Sequence, residues 1–226
     1  MDKQHIKSKI EEASACAREH GAKLCAVIKN RTLEEINYAV NECGVELVGE
    51  NRVQELLSHY ELLSKSNVKI HFIGKLQTNK VKYIADKVDM IESVDSVKLC
   101  EEIEKRMSKL GKKVDILIEI NIGEEEQKSG ILPSRLESFI DEIKGFESIV
   151  PRGLMTVAPI CTSLDDYDAY FKKTKELLDG VFMKKLPSTK DPILSMGMSS
   201  NYKRALSFGS TEVRIGTGIF GPRPTF

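Results

Sequence analysis

Apolar residues along this chain recur in two alternating rhythms. Short, nearly continuous runs rich in β-branched residues are followed by longer segments whose apolar positions fall three and four apart. These are the signatures of buried strands and of amphipathic helices. Residues 3–19 predict a helix with Ile6, Ile10 and Ala13 on one face. A strand is predicted over 23–29. Thr32 with Glu35 three residues on reads as a capping box opening a helix that ends near Gly44. Further strands are predicted at 45–49, 69–74, 90–94, 114–121, 149–157, 192–198 and 212–216. Helices are predicted between them at 51–64, 78–86, from Asp95 or Ser96 to 110, 133–145, 164–184, and from Ser199 or Ser200 to 208. Pro133 sits just inside a helix start, where its missing N–H costs nothing.

Eight such alternations without a break in composition predict an α/β fold: a single (β/α)8 TIM barrel covering residues 1–226. A doubly wound open sheet is the alternative, because strand number does not fix closure. The chain stops about ten residues after the last predicted strand, so the N-terminal helix is expected to cover the barrel where a final helix is missing.

An apolar fraction of 41% and a charged fraction of 30% belong to a soluble globular protein. Lys+Arg and Asp+Glu balance at 34 each, which argues against a nucleic-acid partner. No apolar run approaches a membrane span, and the first residues lead into a polar helical pattern rather than a signal peptide. Five cysteines (Cys16, Cys25, Cys43, Cys100 and Cys161) lack CxxC spacing and fit free thiols in the cytoplasm.

In such a barrel, chemistry gathers at the C-terminal ends of the strands. Lys29 ends the first strand, where desolvation would favour a nucleophilic amine; an ordinary surface lysine is the bland alternative. Ser199-Ser200 after the seventh strand and Gly216-Thr217 after the eighth together fit a phosphate site, the alternative being a capping serine and a turn. Arg214 lies within an apolar run and asks for a partner. His71, between Ile70 and Phe72, reads as a satisfied core histidine, and Cys25 as a buried structural thiol. Met155, Met196 and Met198 read as core filler, and Glu124–Glu126 as a solvated loop. HExxH, Walker and Gly-x-Ser-x-Gly motifs are absent, leaving metalloenzyme and serine-hydrolase readings without support. A sugar-phosphate barrel enzyme would share the phosphate site without needing the lysine.

Several segments together carry a resemblance. Phe72-Ile73-Gly74-Lys75-Leu76-Gln77-Thr78-Asn79-Lys80, Gly49-Glu50-Asn51-Arg52-Val53-Gln54-Glu55, Arg152-Gly153-Leu154-Met155-Thr156, Leu194-Ser195-Met196-Gly197-Met198-Ser199 and Val213-Arg214-Ile215-Gly216-Thr217 resemble, in order from Ala26 to Arg223, the pyridoxal phosphate homeostasis proteins (the YggS/PROSC family). Ile28 departs from the serine usual before the family lysine. The resemblance implies a fold-type III pyridoxal phosphate (PLP) architecture, similar to the barrel domain of alanine racemase. It implies Lys29 as the internal aldimine lysine, Arg214 toward the pyridine nitrogen, and Ser199, Gly216 and Thr217 on the phosphate. It places Asn51 and Met196 along the cofactor. It further implies a PLP-binding role in intracellular vitamin B6 homeostasis without established catalysis, with PLP-dependent apo-enzymes as partners; the size of the barrel is that of a monomer or weak dimer. An amino-acid racemase-like PLP enzyme is the rival, and it needs a second acid/base on the cofactor face opposite the lysine.

Overall fold

Each strand begins where a helix runs out of apolar periodicity. In the computed structural model, which describes residues 2–222, helix α1 (Lys3–Glu19) starts with the Asp2 carboxylate accepting the backbone N–H of His5. Its buried residues are Ile6, Ile10, Ala13 and Ala17, the stripe that the spacing predicts. Met1 and residues 223–226, including Arg223 at the end of the resemblance, lie outside the described residues.

Strands β1 (Lys23–Val27), β2 (Leu47–Glu50), β3 (Lys69–Phe72), β4 (Met90–Val94), β5 (Val114–Ile120), β6 (Ile149–Thr156), β7 (Ile193–Ser195) and β8 (Glu212–Ile215) form a closed barrel in sequence order. All neighbours are parallel, and β8 returns to β1 with Ala26 opposite Ile215. The open doubly wound sheet is thereby ruled out. Closure removes both sheet edges, so every strand ladder is paired. Several strands are shorter than the sequence suggests. β7 keeps only its first residues because the chain turns at Gly197, whose φ of +94° suits glycine.

Helices cover the outside. α2 (Leu33–Asn37) carries the expected Thr32–Glu35 capping box and continues as a π turn over Tyr38–Glu42. α3 (Val53–Lys65), α4 (Val81–Ile84, entered through a 3₁₀ turn at Thr78–Lys80) and α5 (Val97–Lys109) follow. Ser96 occupies the N-cap of α5, but its side chain makes no capping bond. α6 (Leu136–Ile143) comes next, then α7 (Asp166–Leu177), which runs through a π turn at Leu178–Phe182 into α8 (Met183–Lys185). α9 spans Tyr202–Ser207 and α10 spans Thr217–Phe220. The start of α9 differs from expectation. Asn201, not a serine, is its N-cap, and Asn201 Oδ1 accepts the N–H of Met198 at 2.8 Å. That leaves Ser199 in the preceding turn with its hydroxyl directed elsewhere. α1 packs on α10 and β1, which is the covering role the sequence predicts for it.

Most buried apolar residues, among them Ile28, Ile36, Leu56, Phe72 and Ile84, form the layer between barrel and helices. A small second cluster, Met90, Leu117 and Met155, lies apart from that layer. Met155 and Met196 are the core filler expected, but Met198 is not: it is 37% exposed. Among the described residues no helix is long and apolar enough to cross a membrane.

Candidate cofactor site at the C-terminal rim of the barrel

The rim is built outward from the end of β1. Lys29 is half-buried there and is followed by Asn30, whose φ of +57° is a left-handed conformation that asparagine tolerates better than most residues. The turn is held from β2 and α3. Asn30 donates its backbone N–H to Glu55 Oε2 at 2.7 Å, and Arg52 Nη1 reaches both Asn30 Oδ1 (3.2 Å) and Glu55 Oε1 (2.9 Å). Glu50, fully buried, accepts the N–H groups of Asn51 (2.6 Å) and Arg52 (3.1 Å) on one carboxylate oxygen. The Gly49–Glu55 segment thus acts as a bracket for the turn that presents Lys29. Gly74 completes it by close approach, since a Cβ there would lie 2.1 Å from the Asn51 carbonyl oxygen.

The loops after β7 and β8 adjoin this bracket. The β1–β8 register brings Gly216 beside Val27, where a Cβ on Gly216 would sit 3.3 Å from Val27 Cβ. Ser199 Oγ accepts the backbone N–H of Gly218 at 3.0 Å and lies 3.2 Å from the Thr217 hydroxyl. A Cβ at Gly218 would meet Ile215 Cγ2 at 3.0 Å and Ser199 Cβ at 3.2 Å, tighter than ordinary contact, so glycine lets the two loops approach closely here. Two hydroxyls and the N–H groups opening α10 therefore converge within one strand of Lys29. This donor set fits a phosphate, and a lysine on the neighbouring strand end suits a phosphorylated aldehyde. Further in, Asn51 Oδ1 and Ser93 Oγ are buried and make no hydrogen bond within the described residues, leaving polar atoms available to a ligand.

Beneath the mouth the barrel interior is charged, where such barrels usually hold branched apolar residues. Arg214, 4% exposed, donates to Ser195 Oγ (2.6 Å) and to the Thr156 carbonyl (2.7 Å), with Glu92 Oε2 at 3.9 Å. The Ser195 hydroxyl in turn donates to Glu92 Oε2 at 2.7 Å, with Glu212 Oε1 at 3.1 Å. On the other side His71 Nδ1 lies 2.7 Å from Glu92 Oε1 and 3.4 Å from Glu212 Oε2. Burial opposes the imidazolium, but hydrogen bonds to Glu212 and Glu92 and their charges outweigh it and lift His71 to about 10. Burial likewise works against an ionised Glu92, yet His71, Glu212 and Arg214 hold its carboxyl well below the usual range. Glu212 is pushed up to about 7, first by burial and then by the charge of Glu92. Cys25 Sγ and a carboxylate oxygen of each glutamate lie within 4.8 Å of one another, a grouping whose positive charge comes from His71 and Arg214. Burial, with both glutamates nearby, raises the Cys25 thiol, so it stays neutral.

The expected site residues thus divide. Lys29, Ser199, Gly216 and Thr217 come together at the rim, with Asn51 on the neighbouring strand end and Arg214 directly below Gly216 on β8. Met196 is fully buried and packs with the outer core cluster, because Ser195 takes the inward position on β7. His71 is the satisfied core histidine expected, and Arg214 has the partners it required. Glu92 and Asn30 were within reach of the sequence as strand-end residues. Glu119, Ser195 and Glu212 carried no signal beyond being polar residues in apolar strands. Glu119, on β5, is raised to about 7 by burial and by the charge of Asp95, against the opposing pull of Arg214 and Lys75.

Residues 1–224 match the family model described as alanine racemase, N-terminal domain. A curated relative from Aquifex aeolicus, the pyridoxal phosphate homeostasis protein, is 42% identical over 213 residues, covering 92% of each chain. The solved structure of PipY from Synechococcus elongatus PCC7942 with PLP bound superposes with a TM-score of 0.85 at 28% identity, over 96% of this chain and 100% of that one. Alanine racemase from Corynebacterium glutamicum shares the fold, with a TM-score of 0.77 at 15% identity over 98% of this chain and 62% of its own. The family-model match over residues 1–224 and the 42% identity to the Aquifex aeolicus protein over 92% of both chains place the chain in the pyridoxal phosphate homeostasis protein family.

Proposed function

We propose that this protein binds PLP in the barrel mouth through Lys29 and serves PLP homeostasis as a carrier or regulator rather than as a catalyst. The observation that carries the reading is the anion cradle of Ser199, Thr217 and Gly218 one strand away from Lys29. When bound, PLP would supply an aldehyde, the electrophile for which a lysine amine is the fitting partner, and Lys29 would be that partner. In this reading Ser199, Gly216 and Thr217 hold the phosphate, Arg214 faces the ring nitrogen, and Asn51 meets the ring edge. Arg214 is clamped by Ser195 and Thr156, so its guanidinium is an immobile charge that disfavours a proton on the ring nitrogen. The whole chain would act as one cofactor-binding unit, monomeric or weakly dimeric. PLP-dependent apo-enzymes are the recipients this reading implies. The five free cysteines are in keeping with a cytoplasmic protein.

Losing one charge-assisted hydrogen bond to the phosphate costs about 1.5–3 kcal/mol, roughly ten- to a hundredfold in affinity. Thr217→Val and Ser199→Ala are therefore expected to weaken PLP by that factor while leaving pyridoxal, which lacks the phosphate, nearly unchanged. Equal losses for both ligands would assign these side chains to the fold or the ring instead.

Glu119 gives the racemase reading its one foothold. It lies on β5, across the eight-stranded ring from β1, and its carboxyl near 7 could both give and take a proton. Incubating the PLP-loaded protein with L-alanine in deuterated water is expected to yield no steady D-alanine. Turnover that disappears in both Lys29→Ala and Glu119→Gln would replace the carrier with a racemase.

A further inference from the structure

Arg31 stands two positions beyond Lys29 and belongs to neither the amine nor the phosphate cradle, yet it is only 6% exposed. Its guanidinium spans the end of α10. Nη1 donates to the carbonyls of Phe220 and Pro222, each at 3.2 Å, and Nη2 donates to that of Gly221 at 2.6 Å. The Phe220 ring lies 5.3 Å from the guanidinium carbon, and Glu35 Oε1 lies 3.8 Å from Nη1. These carbonyls belong to the end of a four-residue helix, where backbone acceptors lack helical partners and a cation is favoured.

The same helix opens at Thr217 with the anion cradle. The β1 extension therefore touches both ends of α10: Val27 packs at Gly216 and Arg31 grips residues 220–222, with Lys29 between them in the chain. The left-handed residue Asn30, which joins the lysine to the arginine, is pinned by Glu55 and Arg52.

We propose that Arg31 is a positioning residue that fixes the spacing between Lys29 and the phosphate cradle by holding the C-terminal end of α10. The proposal rests on the reading of the rim as a PLP site. A ligand anchored at two points gains from the second anchor only when the spacing between anchors is preset. Arg31 sets that spacing, although it touches neither anchor.

The test compares two ligands in two variants. Arg31→Met keeps the side-chain bulk and removes every donor. It is expected to lower the affinity for PLP about tenfold relative to that for pyridoxal, which is anchored at the lysine alone, the size of one charged hydrogen bond. Arg31→Lys keeps a cation with three donors in a different geometry, and should restore part of the ratio. A purely structural role would lower the melting temperature and weaken both ligands in the same proportion. An unchanged PLP-to-pyridoxal ratio in Arg31→Met therefore overturns the proposal. Where that variant does not fold, an unchanged ratio in Arg31→Lys does the same. Failure of the underlying reading looks different, because the unmodified protein would then bind neither ligand at Lys29.

Discussion

Lys29→Ala is expected to abolish both the visible absorbance of the PLP-loaded protein and the borohydride-fixed pyridoxyl group, while the protein stays folded. Lys29 is half-buried, and no hydrogen bond or ion pair joins its amine to the described residues, so little structural energy is lost with it. What remains in the variant is the phosphate cradle, whose charge-assisted hydrogen bonds contribute about 1.5–3 kcal/mol each. PLP should therefore still bind, weakly and reversibly, and be lost on dialysis. In the unmodified protein, reduction followed by peptide mapping should place the adduct on Lys29. The competing amines are Lys75, exposed near Glu119, and Lys80, which lies 5.8 Å from the Tyr83 ring centre. An adduct mainly on either of them in the native protein would remove Lys29 from the site.

Replacing His71 is expected to have the largest effect on stability, and the effect should depend on pH. The imidazolium is the counter-charge between two buried carboxylates, and removing one partner of a buried pair typically costs about 3–5 kcal/mol. His71 titrates near 10 in the fold against an ordinary 6.5, so its contribution is fully present below 6.5 and is lost as pH rises through 10. Glu212, raised from 4.5 to about 7 by burial, favours the fold while protonated, and its contribution fades as pH climbs through that window. Glu92 acts in the opposite sense: its depressed carboxyl stabilises above the ordinary 4.5 and loses that contribution as acid protonates it. Together the three groups make the cofactor-free protein most stable on the acid side of neutrality. Chemical denaturation between pH 5 and 10 should show stability falling toward alkali, and His71→Gln should be less stable at pH 6 and lack the part of that fall nearest pH 10, which belongs to the imidazolium. The same alkaline slope in that variant would mean the network is not its source.

The network also bears on the rim. Arg214 cannot swing away from the mouth without breaking its bond to Ser195, and Ser195 is held by the carboxylate that His71 neutralises. Such layers are costly to bury, and this one fixes the orientation and charge of the arginine beneath the barrel mouth.

The eight-fold alternation, the capping box at Thr32–Glu35 and the loops after β7 and β8 were all legible in the chain. Each depends on residues within one turn or one strand of each other, where period and local hydrogen bonding decide the structure. The places of Lys29, Ser199 and Gly216-Thr217 at the ends of β1, β7 and β8 were legible because they follow directly from the strand boundaries. Closure was not, because it depends on how register accumulates around all eight strands, including the irregularities at Ile91/Val94 in β4 and Ile116/Leu117 in β5. The charged layer was hidden for the same reason. Ser195 and Glu92 meet across 103 residues of sequence, and Arg31 meets Gly221 across 190. No local pattern marks such pairs. Alternation along a strand tells which residues share a face, and only the closed barrel decides which faces look at each other.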